Sequence, residues 1–116
     1  SMIWKRYYLV YHLTGDAFSR FNRGGDCRFP DDYTLVAQVH CTTFNVAYWL
    51  TNHFDKPWPQ NNGVQEVNPQ IGKRSTSVGD VILLDDKGIY CLVASLGFKE
   101  ISKEAVVNLS MCMGGA

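Results

Sequence analysis

Two short polar runs hold the residue types best suited to chemistry. The first, residues 51–61, reads TNHFDKPWPQN and sets His53 two positions ahead of Asp55, with Asn52 before and Trp58 after. An imidazole near a carboxylate is the pairing a general base uses, since the carboxylate can orient the ring. The second, residues 74–77, reads RSTS. A guanidinium, hydroxyls and loop amides suit a phosphate or carboxylate ligand held by charge-assisted hydrogen bonds. Each run also has a plainer reading. Asn52 can end a helix, Asp55 can bond backbone amides and Trp58 can pack over the edge of a core. The hydroxyls of Ser75 and Thr76 can satisfy loop backbone before a strand begins, with Gly79-Asp80 shaping the turn. A base also needs a group to act on, and the sequence marks none. The expectation is therefore no catalytic residue, with binding at Asn52, His53, Asp55, Trp58, Arg74, Ser75 and Thr76, because loops concentrate recognition residues.

Other chemistries find less support. The cysteines, at 27, 41, 91 and 112, include no C-x-x-C pair, and His12, His40 and His53 lack ligand spacing, so neither metal nor cofactor is expected. Cys41 and Cys91 lie in apolar segments that read as core, which favours reduced thiols of a cytosolic protein. His40 and Cys41 are neighbours on a strand and point to opposite faces, which defeats a Cys-His nucleophilic pair. No G-x-x-x-x-G-K-[ST] run is present, excluding a Walker-type phosphate loop. Arg20, Arg23 and Arg28 alternate with Phe18, Phe21 and Phe29 as in a single-strand stacking platform. Asp16, Asp26, Asp31 and Asp32 offset them, and a solvated face with the phenylalanines turned inward is the better reading. Eleven basic residues balance eleven acidic ones. Without net charge the chain gains little long-range attraction to nucleic acid, so a non-specific coating role is not expected.

The elements that position these residues are largely visible in the pattern. At 116 residues with 46% apolar content, the chain suits one ordered domain over residues 2–110, with residues 111–116 fraying. Ser1 ahead of Met2 reads as a tag-cleavage remnant. The apolar run at residues 7–11 is too short for a signal peptide or a membrane span. Residues 3–12 are aromatic and β-branched on both faces, as in a central strand. Residues 16–22 suit about two helical turns with Ala17, Phe18 and Phe21 inward. Residues 33–40 alternate as a half-buried strand. A helix over 44–53 comes next, capped by Thr42 or Thr43, with Phe44, Ala47, Tyr48 and Leu50 inward and Trp49 extending that stripe. Its stop is the DKPWP run, since proline removes a donor. A short strand is expected near 64–67. Residues 81–84 and 89–94 flank Asp85-Asp86-Lys87-Gly88 as a hairpin with a left-handed glycine. A strand over 98–101 and a helix over 103–109, capped by Ser102, complete the chain. The order β-α-β-α-β-β predicts an α+β fold, mostly antiparallel sheet with helices packed on one face.

Residues 74–101, RSTSVGDVILLDDKGIYCLVASLGFKEI, resemble the carboxy-terminal half of YodL-like proteins, small uncharacterised accessory proteins of bacteriophages and conjugative elements. The matching residues are Arg74, Ser75, Ser77, Val78, Gly79, Asp80, Ser95, Gly97 and Phe98. Thr51, Asn52, His53, Phe54, Asp55, Pro57 and Trp58 match a second segment of the phage relatives. The resemblance covers about two thirds of the chain and stops at Lys103. It implies a mobile-element accessory protein acting in the cytoplasm of a bacterial host, and it brings no catalytic residues. The resulting expectation is a non-enzymatic binding module that engages a host protein, a defence or regulatory factor, with no membrane partner. The alternative is a small-ligand or nucleotide-binding protein, sequestering or weakly hydrolytic, in which Arg74, Ser75 and Thr76 hold an anion.

Overall fold

In the computed structural model, which describes residues 4–114, an antiparallel six-stranded sheet runs through the middle of the molecule. Along the chain come β1 (Arg6–Leu13), α1 (Asp16–Asn22), β2 (Cys27–Phe29), β3 (Tyr33–Cys41), α2 (Phe44–Leu50) and β4 (Val64–Glu66). After these come β5 (Val81–Leu84), β6 (Ile89–Val93), β7 (Phe98–Ile101), β8 (Ala105–Val107) and α3 (Leu109–Cys112). The sheet order is β4-β3-β1-β5-β6-β7, and β2 pairs with β8 in a separate two-stranded ribbon. β1 is thus central, as its doubly apolar pattern predicts, while Ile3 lies outside the described residues. A bulge interrupts the β1–β3 register between Val10 and Tyr11. Val36 is the extra residue, so Val36 and Ala37 are both buried although adjacent.

The fold is α+β, and apolar layers cover both faces of the sheet. Ile82, Leu84, Tyr8, Val10 and Val39 meet α2 through Ala47, Phe44 and Tyr48. On the opposite face Val81, Leu92 and Leu13 meet Ala17 and Phe21 of α1, Phe29 of β2, Val107 of β8 and Cys112 of α3. Consecutive strand residues point to opposite faces, which is why Val81 and Ile82 serve different cores. The expected one-sided cover is thereby extended to two sides. Both faces of β5 are apolar along its whole length, and two covering layers are what such a strand requires.

Most local expectations hold. α1 has the predicted bounds, and Thr43 caps α2 by accepting the Val46 N–H at 3.0 Å. The β5–β6 hairpin closes through a 3-10 turn at Asp85–Lys87 and a left-handed Gly88 (φ 62°). Other details differ. α2 ends at Leu50 rather than near His53, because the Thr51 hydroxyl turns back to the Ala47 carbonyl (2.9 Å) and the Asn52 amide to that of Tyr48. Trp49 faces solvent instead of extending the inward stripe, lying about 200° around the helix from Ala47. The helix expected over 103–109 is instead strand β8, with the helix starting at Leu109 under an Asn108 cap. Val106 and Val107 favour an extended chain, and β2 supplies the strand to pair with, Cys27 opposite Val107. The ordered fold reaches past residue 110: Cys112 is buried, and its carbonyl accepts from the Ser95 amide and hydroxyl. Residues 115 and 116 lie outside the described residues. Among the described residues no helix is long and apolar enough to cross a membrane.

Candidate functional site

The two polar connections meet, and together they build a latch. Its centre is Asp80, fully buried at the mouth of β5. Its two oxygens accept from the Leu13 amide (2.9 Å), the Ser77 amide (2.7 Å) and both terminal nitrogens of Arg74 (2.6 and 2.8 Å). Four donors fill a carboxylate's four lone-pair positions, so every acceptor site of Asp80 is used within the fold. Arg74 also donates to the carbonyls of Leu13 (2.9 Å) and Ser75 (3.0 Å) and stacks 3.9 Å from the Phe18 ring centroid. This fork-on-carboxylate geometry is the strongest polar contact a side-chain pair makes, and it ties the 74–80 connection to the end of β1.

A second set of bonds joins that connection to the one after α2. The Thr76 amide donates to the Thr51 carbonyl (3.0 Å), and the Thr76 hydroxyl sits between the Thr51 hydroxyl (2.7 Å) and His12 Nε2 (2.8 Å). Ser75 Oγ accepts the His53 amide at 2.8 Å. The indole N–H of Trp58 donates to the Arg74 carbonyl (2.8 Å), and the Trp58 amide to His53 Nδ1 (3.1 Å). His53 Nε2 faces the Lys73 carbonyl at 3.3 Å, so that nitrogen carries the ring proton. Lys73 Nζ pairs with Glu66 at 3.3 Å and donates to the Asn68 and Ile71 carbonyls, drawing the approach to the latch into a compact loop.

The seven residues expected to bind therefore have different fates. Trp58 and Thr76 are wholly inside, and Trp58 is among the largest fully buried side chains. Arg74 and Ser75 are half-buried, and Asn52 closes α2. The anion cradle expected of Arg74, Ser75 and Thr76 is already occupied, Arg74 by Asp80, Ser75 by the His53 amide and Thr76 by Thr51 and His12. His53 cannot be oriented by Asp55 as a base, because both ring nitrogens serve Trp58 and Lys73. Only His53 and Asp55 of the seven are exposed.

His12, Thr51 and Asp80 are the members of this network that sequence reasoning missed. One signal for Asp80 exists: an acid directly before an unbroken apolar strand is poised to enter the core with a partner. His12 is driven well below its ordinary pKa, to about 4, chiefly by burial and secondarily by Arg74 and Lys73, with Asp80 opposing. The ring is consequently neutral at neutral pH. Burial also raises Tyr33, whose hydroxyl donates to the Gly79 carbonyl at 2.6 Å, and it raises all four cysteine thiols. Cys27, Cys41, Cys91 and Cys112 are free and buried, the environment of inert rather than reactive thiols. Among the described residues no cluster of His, Cys, Asp and Glu has the geometry of a metal site.

Sequence reasoning also passed over an aromatic patch beside the latch. Phe54 is 66% exposed and Trp49 is 49% exposed, their rings lie 5.4 Å apart, and Val46 stands one helical turn before Trp49. A large shallow groove of about 840 Å³ lies elsewhere, by β7 and β8, with Glu100 and Lys103 exposed at its rim. No family model, curated protein or solved structure matches the chain, so the reading of this site rests on its own atoms.

Proposed function

We propose that the protein is a non-enzymatic binding module that docks a partner protein on the face formed by Val46, Trp49 and Phe54, bordered by His53 and Asp55. The observation that carries this reading is the exposed Trp49–Phe54 ring pair. Exposed aromatics of this size are the side chains that dominate protein–protein affinity, and two in contact make a contiguous anchor. The patch is also held in place. The Thr43 cap fixes the start of α2, while the Asn61 side chain (2.8 Å to the Leu50 carbonyl) and the Ser75–His53 bond fix the turn after its end. An anchor held before binding loses little entropy on association. The latch acts as a rigid support rather than a reaction centre, because its carboxylate and four of the five guanidinium N–H donors are already held by internal partners. The YodL-like resemblance supplies the class of partner: a protein of a bacterial host cell, met by an accessory protein of a phage or conjugative element.

The test is affinity capture from bacterial lysate with the wild-type chain and a Trp49→Ala/Phe54→Ala variant. A specific partner retained by the first and lost by the second, with unchanged thermal unfolding, is the expected result. Capture of nothing, or of the same partner by both proteins, refutes the reading. Trp58→Ala is unsuitable for this purpose, since emptying a fully buried indole site costs about 3–5 kcal/mol of stability.

A further inference from the structure

A cavity of about 300 Å³ opens between the end of β1, the start of α1 and the connection that leads into the latch. Leu13, Phe18, Val36 and Ile71 give it apolar walls, and His12 and Arg74 bring its nitrogen chemistry. Such a volume is at the lower end of small-ligand pockets, whose pattern is apolar lining with a few fixed polar groups.

The hydroxyl relay fixes the tautomer of His12. The Thr51 hydroxyl lies 2.9 Å from the Ala47 carbonyl oxygen, which only accepts, so Thr51 donates there. Thr51 must then accept from the Thr76 hydroxyl, 2.7 Å away, and Thr76 in turn accepts from His12 Nε2 at 2.8 Å. Nε2 therefore carries the ring proton and Nδ1 is a bare lone pair. The side chain of His12 is only 3% exposed. Nδ1 nevertheless has no hydrogen-bond partner among the described residues, whereas every fully buried side-chain nitrogen or oxygen there has one. Nδ1 is therefore not fully sealed inside the protein, and His12 is one of the residues that line the cavity. Arg74 uses both terminal nitrogens on Asp80, Leu13 and Ser75, which leaves Nε–H as its one donor without a partner among those residues.

We propose that this cavity binds a small neutral molecule with a planar cis-amide edge, as in a lactam or a pyrimidine base, its N–H donating to His12 Nδ1 and its carbonyl accepting from Arg74 Nε–H. Three physical points select this class. A lone pair on Nδ1 repels an anion and asks for a donor. The Arg74–Asp80 pair is already neutral, so it offers no net charge to hold an added ion of either sign. Phe18, Ile71 and Val36 favour a flat apolar ring around the polar edge. The site shares no residue with the aromatic docking face and stands or falls independently of it.

The test uses uniformly nitrogen-15-labelled protein and long-range proton–nitrogen spectra of the His12 ring, with uracil and 2-pyrrolidone as probes. Both are expected to move the Nδ1 resonance saturably, while 1,3-dimethyluracil, which keeps the ring and loses both N–H donors, leaves it in place. A Gly72→Leu variant is expected to abolish the response. Gly72 lines the cavity and an added Cβ there meets nothing within 4 Å, so a larger side chain can be carried beside the cavity without displacing the latch. An Nδ1 resonance unmoved by both probes, moved equally by the dimethyl control, or moved as strongly in the Gly72→Leu protein overturns the proposal. So does a free-protein spectrum that places the proton on Nδ1.

Discussion

Arg74 shows how one side chain changes meaning between sequence and structure. In the sequence it stands beside hydroxyls and reads as an anion anchor. In the folded chain its anion is Asp80, six residues on, held by two parallel bonds of 2.6 and 2.8 Å. Removing one partner of a buried ion pair leaves the other charged and unpaired, which costs about 3–5 kcal/mol. Arg74→Ala is accordingly expected to lower stability by about that amount in urea unfolding. Arg74→Lys is expected to restore only part of it, because an ammonium cannot form the planar fork or stack on Phe18. An Arg74→Ala protein that unfolds at the wild-type midpoint contradicts this role. The pairing was not legible beforehand because Asp80 follows a glycine and reads as a turn former. Only burial, at 0% exposure, makes its charge a liability that demands a partner.

At the scale of elements, two glycines separate backbone conformation from packing. Gly88, in the β5–β6 turn, has φ 62° and open space around the position a Cβ would take. Gly79, at the mouth of β5, has φ 98°, and a Cβ there falls 2.5 Å from the Phe21 ring. Gly88→Ala carries only the left-handed backbone cost of about 1 kcal/mol. Gly79→Ala must also push Phe21 out of a close-packed core, and is expected to cost well beyond that. Equal shifts in urea midpoint for the two variants run against this explanation. The same scale separates the legible elements from the others. α1, β3 and the β5–β6 hairpin announce themselves through local periodicity and turn chemistry. β2 and β8 are three residues each and too short to show a period. Each exists because the other is there to pair with it, and they lie nearly eighty residues apart along the chain.

For the molecule as a whole, His12 couples stability to pH. In the unfolded chain its ring takes up a proton as pH falls through 6.5, whereas the folded ring stays neutral until about pH 4. The unfolded state therefore binds more protons across that window, and stability falls as pH falls. The His12 contribution is complete above pH 6.5 and lost by about pH 4, a decline of roughly 3 kcal/mol at 1.36 kcal/mol per unit. Urea midpoints are expected to fall on acidification through this range, and the His12 ring to titrate only near its lower end in NMR spectra. A ring that titrates near 6.5 refutes the linkage.

Composition and alternation were enough to establish a single α+β domain, a central first strand, most of the sheet and the place of its hairpin, because those features depend on neighbours a few residues away. Whether the two polar connections meet was left open by the sequence. Which of their residues face water was decided only in three dimensions. Trp58 went inside, where its N–H found the Arg74 carbonyl, and Trp49 was left outside by the turn of a helix. His12, unmarked in the sequence, became a buried imidazole with a strongly lowered pKa because β1 carries it under a threonine relay assembled from two other segments. Burial and hydrogen-bond direction are properties of atoms brought together from distant parts of the chain, and no local pattern encodes them.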